Sequence, residues 1–177
     1  SVKLLFSPVN GKLLGAQVIG MEGVDKRIEV LATAMMMGAT AADVERLELA
    51  YAPPYGSAKD PVNIAGYVAH NILKGETAPI YWNEIADAAA SPENFLLDVR
   101  TARECAFGMI PGAMNIPVDE LRERLRELPK DKRIIIYCQF GVRGYVAERI
   151  LRQRGFRACN LIGGYKTYRI ATGKQCN

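Results

Sequence analysis

Arg133-Ile134-Ile135-Ile136-Tyr137 is the segment that most narrows the folds open to this chain. Its apolar, largely β-branched run shows no in-and-out alternation, which is the pattern of a strand covered on both faces. A short loop containing Gly141 follows it, and a helical pattern runs from about Arg143 to Arg154, where Gly155 stops it. A strand covered on both faces that feeds a helix belongs to a parallel sheet, because parallel neighbours need a crossover to connect them. The surrounding segments repeat the alternation. Tyr81–Trp82 reads as a short edge strand, and Asn83 as the cap of a helix to about Ala90. Phe95–Val99, Met114–Ile116 and Ala158–Ile162 read as strands, and Val118–Leu128 as an amphipathic helix ended by Pro129. The class expected is α/β, a central parallel sheet flanked by helices.

The first half is organised differently. Val2–Phe6 and Lys12–Gly20 are apolar runs joined through Asn10-Gly11, a hairpin signal. Helices are expected over Gly23–Met37, with Ile28, Leu31, Ala32, Met35 and Met36 on one face, and over Ala41–Leu47 behind Thr40 as N-cap. A third should start at Asp60-Pro61 and end near Lys74 and Gly75. The stretch from Gly75 to Pro79 is short and polar and marks a boundary. The expected organisation is an α+β segment over 1–76, a linker at 77–80 and the α/β domain over 81–177. The chain lacks an initial Met and opens inside a strand pattern, which predicts a piece of something longer.

Composition removes several classes of function. No apolar run approaches the roughly 18–20 residues a membrane-spanning helix needs, and no signal-like start is present, so no membrane partner is expected. The four cysteines, Cys105, Cys138, Cys159 and Cys176, form no CxxC pair, and His70 is the single histidine. That set cannot build a structural zinc site, and it suits a reducing cytoplasm. The net charge of +4 comes from the second half, but no basic cluster is interleaved with stacking aromatics, so nucleic acid is not an expected partner.

The chemistry is concentrated in Cys138-Gln139-Phe140-Gly141-Val142-Arg143-Gly144. A cysteine leaving the C-terminal end of a buried strand stands where open α/β sheets bind ligands. Backbone N–H groups curling around one point, with the positive end of the next helix, favour the thiolate over the thiol. Gly141 lets the backbone turn, and Arg143 can hold the oxygens of an incoming anion. With no histidine in this half, a Cys–His pair is excluded. A buried core cysteine at a strand end is the plain alternative.

From about Tyr81 to Thr172 the chain resembles the rhodanese family. Leu97-Asp98-Val99-Arg100, Gly108-Met109-Ile110-Pro111-Gly112-Ala113-Met114-Asn115-Ile116-Pro117, the Cys138–Gly144 loop and Gly163-Gly164-Tyr165 match its motifs in order and spacing. Met109 departs from the histidine usual there. The resemblance implies that Cys138 takes up a sulfane sulfur as a persulfide from a donor such as thiosulfate or another persulfide, and passes it to a thiol. It implies catalytic roles for Cys138 and Arg143, a substrate-binding loop of Gln139, Phe140, Gly141, Val142 and Gly144, and support from Asp98 and Arg100. Phosphatases and arsenate reductases of this fold carry a loop one residue longer between Cys and Arg, which makes a small phosphatase a distant alternative.

Residues 12–75 resemble the C-terminal dimerisation domain of flavin-dependent pyridine-nucleotide disulfide reductases, nearest to the coenzyme A-disulfide reductases, including those fused to a rhodanese and linked to coenzyme A persulfide. The resemblance rests on Gly15-Ala16-Gln17-Val18-Ile19-Gly20, Val24-Asp25-Lys26-Arg27-Ile28 and Tyr51-Ala52-Pro53-Pro54-Tyr55-Gly56-Ser57-Ala58-Lys59-Asp60-Pro61-Val62-Asn63. It implies a homodimer, coenzyme A as a thiol acceptor, and FAD and NAD(P)H held in a preceding reductase part, since no GxGxxG occurs here. Tyr51 and Tyr55 are the candidates to approach a partner's redox centre. A non-catalytic dimerisation or docking module is the competing function.

Overall fold

The computed structural model describes residues 1–173, and they fall into two units, one of Ser1–Glu76 and one beginning at Thr77. Cys176 lies outside the described residues.

In the first unit, β1 (Val2–Phe6) and β2 (Leu13–Val18) form an antiparallel pair in which Val2 faces Val18 and Leu4 faces Ala16. The connection is wider than a two-residue turn: Ser7 N–H donates to the Lys12 carbonyl, and Gly11 takes a positive φ of 71°. Helices α1 (Val24–Met36), α2 (Ala41–Arg46) and α3 (Pro61–Leu73) follow. Thr40 and Asp43 make a reciprocal capping box on α2, and Asp60 and Asn63 make one on α3, with Pro61 at its first position. Asp60 also accepts from Arg27 Nε at 2.9 Å, tying α1 to the start of α3. Gly66 allows α2 and α3 to touch, because a Cβ there would lie 2.5 Å from the Glu45 amide nitrogen.

Leu13, Leu31, Val44 and Val62 are the buried centre of this unit. The α1 face that packs on them is carried by Leu31 with Val30, Ala34 and the expected Met35, while Ala32 and Met36 are exposed. The apolar stripe expected along α1 is thus wider than the core uses. Its outer edge, with Gly15, Ala16 and Ile28, lines a groove of about 530 Å³.

The second unit is built on a five-stranded sheet in the order β3-β7-β6-β4-β5, parallel throughout. The strands are β3 (Pro79–Ile80), β4 (Asn94–Asp98), β5 (Met114–Asn115), β6 (Arg133–Tyr137) and β7 (Arg157–Leu161). α4 (Ile85–Ala90), α5 (Ala102–Cys105), α6 (Val142–Gln153) and α7 (Gly164–Ala171) complete it. β6 lies in the middle, and Ile134, Ile135, Ile136 and Tyr137 are each 0% exposed. Ile134 and Ile136 pack with Leu97, Ala147 and Leu151 on one face, and Ile135 and Tyr137 with Leu96, Cys159 and Tyr165 on the other. At about 1.5–3 kcal/mol for each fully buried aliphatic chain, this strand is a main source of the unit's stability.

Several local expectations shift. The edge strand is Pro79–Ile80 rather than Tyr81–Trp82, so part of the segment expected as linker pairs with β7. An edge position tolerates Pro79, which lacks an N–H to donate. Trp82–Glu84 is a 3₁₀ turn in which Glu84 binds back to the Tyr81 N–H, so Asn83 lies inside the turn and Glu84, not Asn83, stands at the N-cap of α4. Val118–Leu128 is a chain of turns ending in a 3₁₀ turn at Leu125–Glu127, held mostly by i→i+3 bonds such as Leu121 N–H to the Val118 carbonyl. Residues three apart stack in such turns, as Val118–Leu121 and Leu125–Leu128 do, and an i→i+4 bond from Arg124 N–H to the Glu120 carbonyl lies in the wider Leu121–Leu125 step, so all four reach the core. Two helices, α5 and α7, were not expected.

Candidate active site

Register places the reactive groups. Asp98 at the end of β4 lies beside Tyr137 at the end of β6, so Val99-Arg100 and Cys138 leave the sheet at the same C-terminal edge. Cys138 is 2% exposed, and its sulfur accepts the Gly141 N–H at 3.1 Å. Gly141 is the N-cap of α6 with φ 129° and ψ −27°, a backbone state that side chains resist, and it turns the loop so that the helix's positive end meets the sulfur.

The loop's carbonyls point elsewhere and are held. The Cys138 carbonyl accepts the Tyr165 N–H at 2.8 Å, and the Gln139 carbonyl accepts the Lys166 N–H at 3.1 Å, both from the first turn of α7. Gly164 makes this approach possible, because a Cβ there would stand 2.4 Å from the Cys138 carbonyl oxygen. The Gly141 carbonyl accepts the Tyr145 N–H and, at 3.2 Å, Asn160 Nδ2 from β7. Asn160 Oδ1 is buried without a partner among the described residues and lies against Gly144, where a Cβ would come within 2.3 Å.

Arg143 extends toward α5, where its two terminal nitrogens bind both oxygens of Glu104 at 2.6 and 2.7 Å. The bonds to Glu104 raise the basicity of Arg143, with Cys138 a smaller contributor in the same direction. Arg143 holds the Glu104 carboxyl down at about 2. Phe140 and Val142 stand exposed on the loop's outer side, with Lys166 Nζ 5.2 Å from the Phe140 ring centre.

Asp98 and Arg100 form a buried pair. Arg100 Nη2 to Asp98 Oδ2 is 2.6 Å, and Nε contacts both carboxylate oxygens at 3.0 Å. Arg100 also donates to the Gly108 carbonyl and to Gln139 Oε1, and its guanidinium lies 4.1 Å from the centre of the Tyr165 ring. Burial opposes the charge on Arg100, but the bonds to Asp98 outweigh it and raise its basicity. Burial, with Asp98 beside it, pushes the Cys105 thiol up to about 11, and burial does the same to Cys159. Tyr51 and Tyr55 lie in the other unit on an exposed segment, 56% and 84% exposed. The structure therefore gathers Cys138, Gln139, Gly141, Arg143, Gly144, Asp98 and Arg100 into one site.

Sequence reasoning missed Glu104 and Asn160. Thr101-Ala102-Arg103-Glu104 has capping-box spacing, and both its reciprocal bonds form. Asn160 is the polar residue among the buried positions 158–161 of β7, which flags a buried hydrogen bond. No group of acidic, cysteine and histidine residues among those described could hold a metal ion, and no described helix is long and apolar enough to cross a membrane.

Comparisons agree with this geometry. Residues 80–171 match the family model for the rhodanese-like domain, and residues 1–60 match that for the pyridine nucleotide-disulphide oxidoreductase dimerisation domain. A sulfurtransferase of Allochromatium vinosum is 43% identical over 77 residues, covering 43% of this chain and 72% of that protein. The coenzyme A disulfide reductase of Staphylococcus epidermidis is 46% identical over 68 residues, 38% of this chain but 16% of that enzyme. The crystal structure of reduced Bacillus anthracis CoADR-RHD superposes with a TM-score of 0.95 at 48% identity, covering 98% of this chain and 31% of that one. A NAD-dependent persulfide reductase from A. fulgidus gives 0.82 at 38% identity, covering 94% and 30%. The chain thus spans under a third of the reductases it resembles. It belongs to the rhodanese-like family, joined to a dimerisation segment of the pyridine nucleotide-disulphide oxidoreductases.

Proposed function

We propose that Cys138 is a sulfur carrier: it takes a sulfane sulfur as a persulfide and gives it to a thiol. The observation that carries this is the Gly141 N–H aimed at the Cys138 sulfur from 3.1 Å at the start of a helix. A backbone donor and a helix end stabilise negative charge on sulfur before transfer, and on the outer sulfur after it. With thiosulfate, the thiolate attacks the outer sulfur, the S–S bond breaks and sulfite leaves with the electron pair. An acceptor thiolate then attacks the outer sulfur of the persulfide, and Cys138 departs as thiolate. Arg143 carries the loop's positive charge, paired with Glu104, and Asp98 and Arg100 brace Gln139 from the neighbouring strand.

This sulfur carrier serves a reductase of the coenzyme A disulfide or persulfide type, with coenzyme A as the thiol acceptor. FAD and NAD(P)H do not fit this chain: no GxGxxG follows any strand, and the first unit offers an antiparallel hairpin rather than a strand–helix–strand crossover. Flavin and nicotinamide chemistry would belong to reductase residues outside this sequence, so this chain alone should not oxidise NAD(P)H. Tyr51 or Tyr55 would approach the partner's redox centre in the homodimer. The first unit's exposed Leu14, Ile19, Met36 and Met37 support a second copy covering that surface.

Intact-mass measurement after incubation with excess thiosulfate tests the carrier role. A gain of one sulfur on the wild type, absent from Cys138→Ala, is the expected result. No gain on the wild type, or the same gain on the variant, overturns it.

A further inference from the structure

We propose that Glu104 sets the charge selectivity of the sulfur-loading loop, favouring persulfide donors of low charge over thiosulfate. The inference rests on the carrier role of Cys138 and adds the donor class. Arg143 is the arginine of the Cys138 loop, yet both its terminal nitrogens are already bound to Glu104 at 2.6 and 2.7 Å.

Glu104 is itself held in place. Its Oε2 accepts the Thr101 N–H and the Thr101 hydroxyl, each at 3.0 Å, as well as Arg143 Nη1. An incoming dianion therefore meets a neutral Arg–Glu pair instead of a free guanidinium, and displacing the carboxylate would break bonds to two residues. A thiosulfate ion adds two negative charges beside a thiolate, and the paired Arg143 cannot offset them. An alkyl persulfide in its neutral form adds none: Cys138 thiolate attacks its outer sulfur, the S–S bond breaks, Cys138 becomes the protonated persulfide and an alkyl thiolate leaves. The exposed Phe140 and Val142 flanking the loop suit the alkyl part of such a donor.

The test compares second-order rates of Cys138 loading, by intact mass, for thiosulfate and for 2-hydroxyethyl persulfide. Removing one full charge beside Arg143 in Glu104→Gln should raise the thiosulfate-to-persulfide rate ratio on the order of tenfold. Glu104→Asp, which keeps the charge, should stay within about twofold of wild type, and salt should shrink the Glu104→Gln effect by screening. An unmoved ratio in a folded Glu104→Gln, or a shift toward the persulfide, overturns the inference. If Glu104→Gln does not fold, Thr101→Val loosens the same carboxylate and should move the ratio in the same direction by a smaller factor; an unmoved ratio there overturns it equally. Loading by neither donor on the wild type would sink the carrier role along with this inference, whereas loading with an unmoved ratio sinks this inference alone.

Discussion

Gly164→Ala is the substitution that tests most directly whether α7 holds the cysteine loop. Gly164 has φ 60°, where an L-residue costs roughly 1–2 kcal/mol, and its new Cβ would stand 2.4 Å from the Cys138 carbonyl oxygen and 2.9 Å from the Gln139 carbonyl. Those contacts are with backbone, which cannot swing aside, so overpacking adds about 1–3 kcal/mol. The expected loss is therefore about 2–5 kcal/mol. Gly155→Ala is the matched control, because Gly155 also has a positive φ, 79°, but nothing lies within 4 Å of its Cβ position. It should lose only the backbone part, about 1–2 kcal/mol. Urea unfolding followed by the fluorescence of Trp82, the single tryptophan, reads the unit that contains both glycines. Equal losses for the two variants would refute the reasoning, since the close contact would then be carrying no energy. Gly164→Ala should also slow loading of Cys138, while Gly155→Ala leaves it unchanged.

Three further outcomes follow from other parts of the site. Replacing Arg100 by Met leaves the buried Asp98 carboxylate unpaired and should destabilise the second unit by about 3–5 kcal/mol in the same urea assay, with Asp98→Asn/Arg100→Met recovering part of the loss. Glu104 and Glu148 should show opposite pH dependences. Glu104, held near 2, adds stability that is present above about 4.5 and lost as pH falls toward 2, so Glu104→Gln should flatten that acid limb. Burial raises Glu148 above 4.5, so the folded state binds the extra proton and stability should fall as pH rises from there through its folded value; Glu148→Gln should remove that fall. Finally, iodoacetamide at neutral pH should modify Cys138 and spare Cys105 and Cys159, whose thiols are pushed up to about 11, as peptide mapping would show.

Much of the second unit was legible because its information is local. Ile134–Tyr137 lacks alternation for the simple reason that both faces are covered, and the break at Cys138-Gln139-Phe140-Gly141 marks the strand end. The same logic failed at Val118–Leu128, because a 3,4,3 spacing of apolar residues is the α-helical pattern and is met here by 3₁₀ turns broken by a single i→i+4 step. α5 has four residues and α7 opens on Gly164 behind a Gly163 N-cap, so neither carries a helical signal strong enough to see. The Glu104–Arg143 pair joins residues 39 apart in sequence, and no periodicity reports a contact of that range. The inner face of α1 was only partly legible for a different reason: its apolar residues exceed what the core of its own unit covers.

The pinned carbonyls of Cys138, Gln139 and Gly141 bear on how this loop can change over evolutionary time. The donor that contacts the sulfur is a backbone N–H, which every residue except proline possesses, so that contact does not depend on the side chains at positions 140 and 142. Those two positions, 62% and 71% exposed, are open to rewriting for new donors and acceptors. Gly141, Gly144 and Gly164 are closed to it, because each sits where an added carbon is strained or meets a neighbour. Sulfur handling and partner choice can thus be inherited separately within a single seven-residue loop.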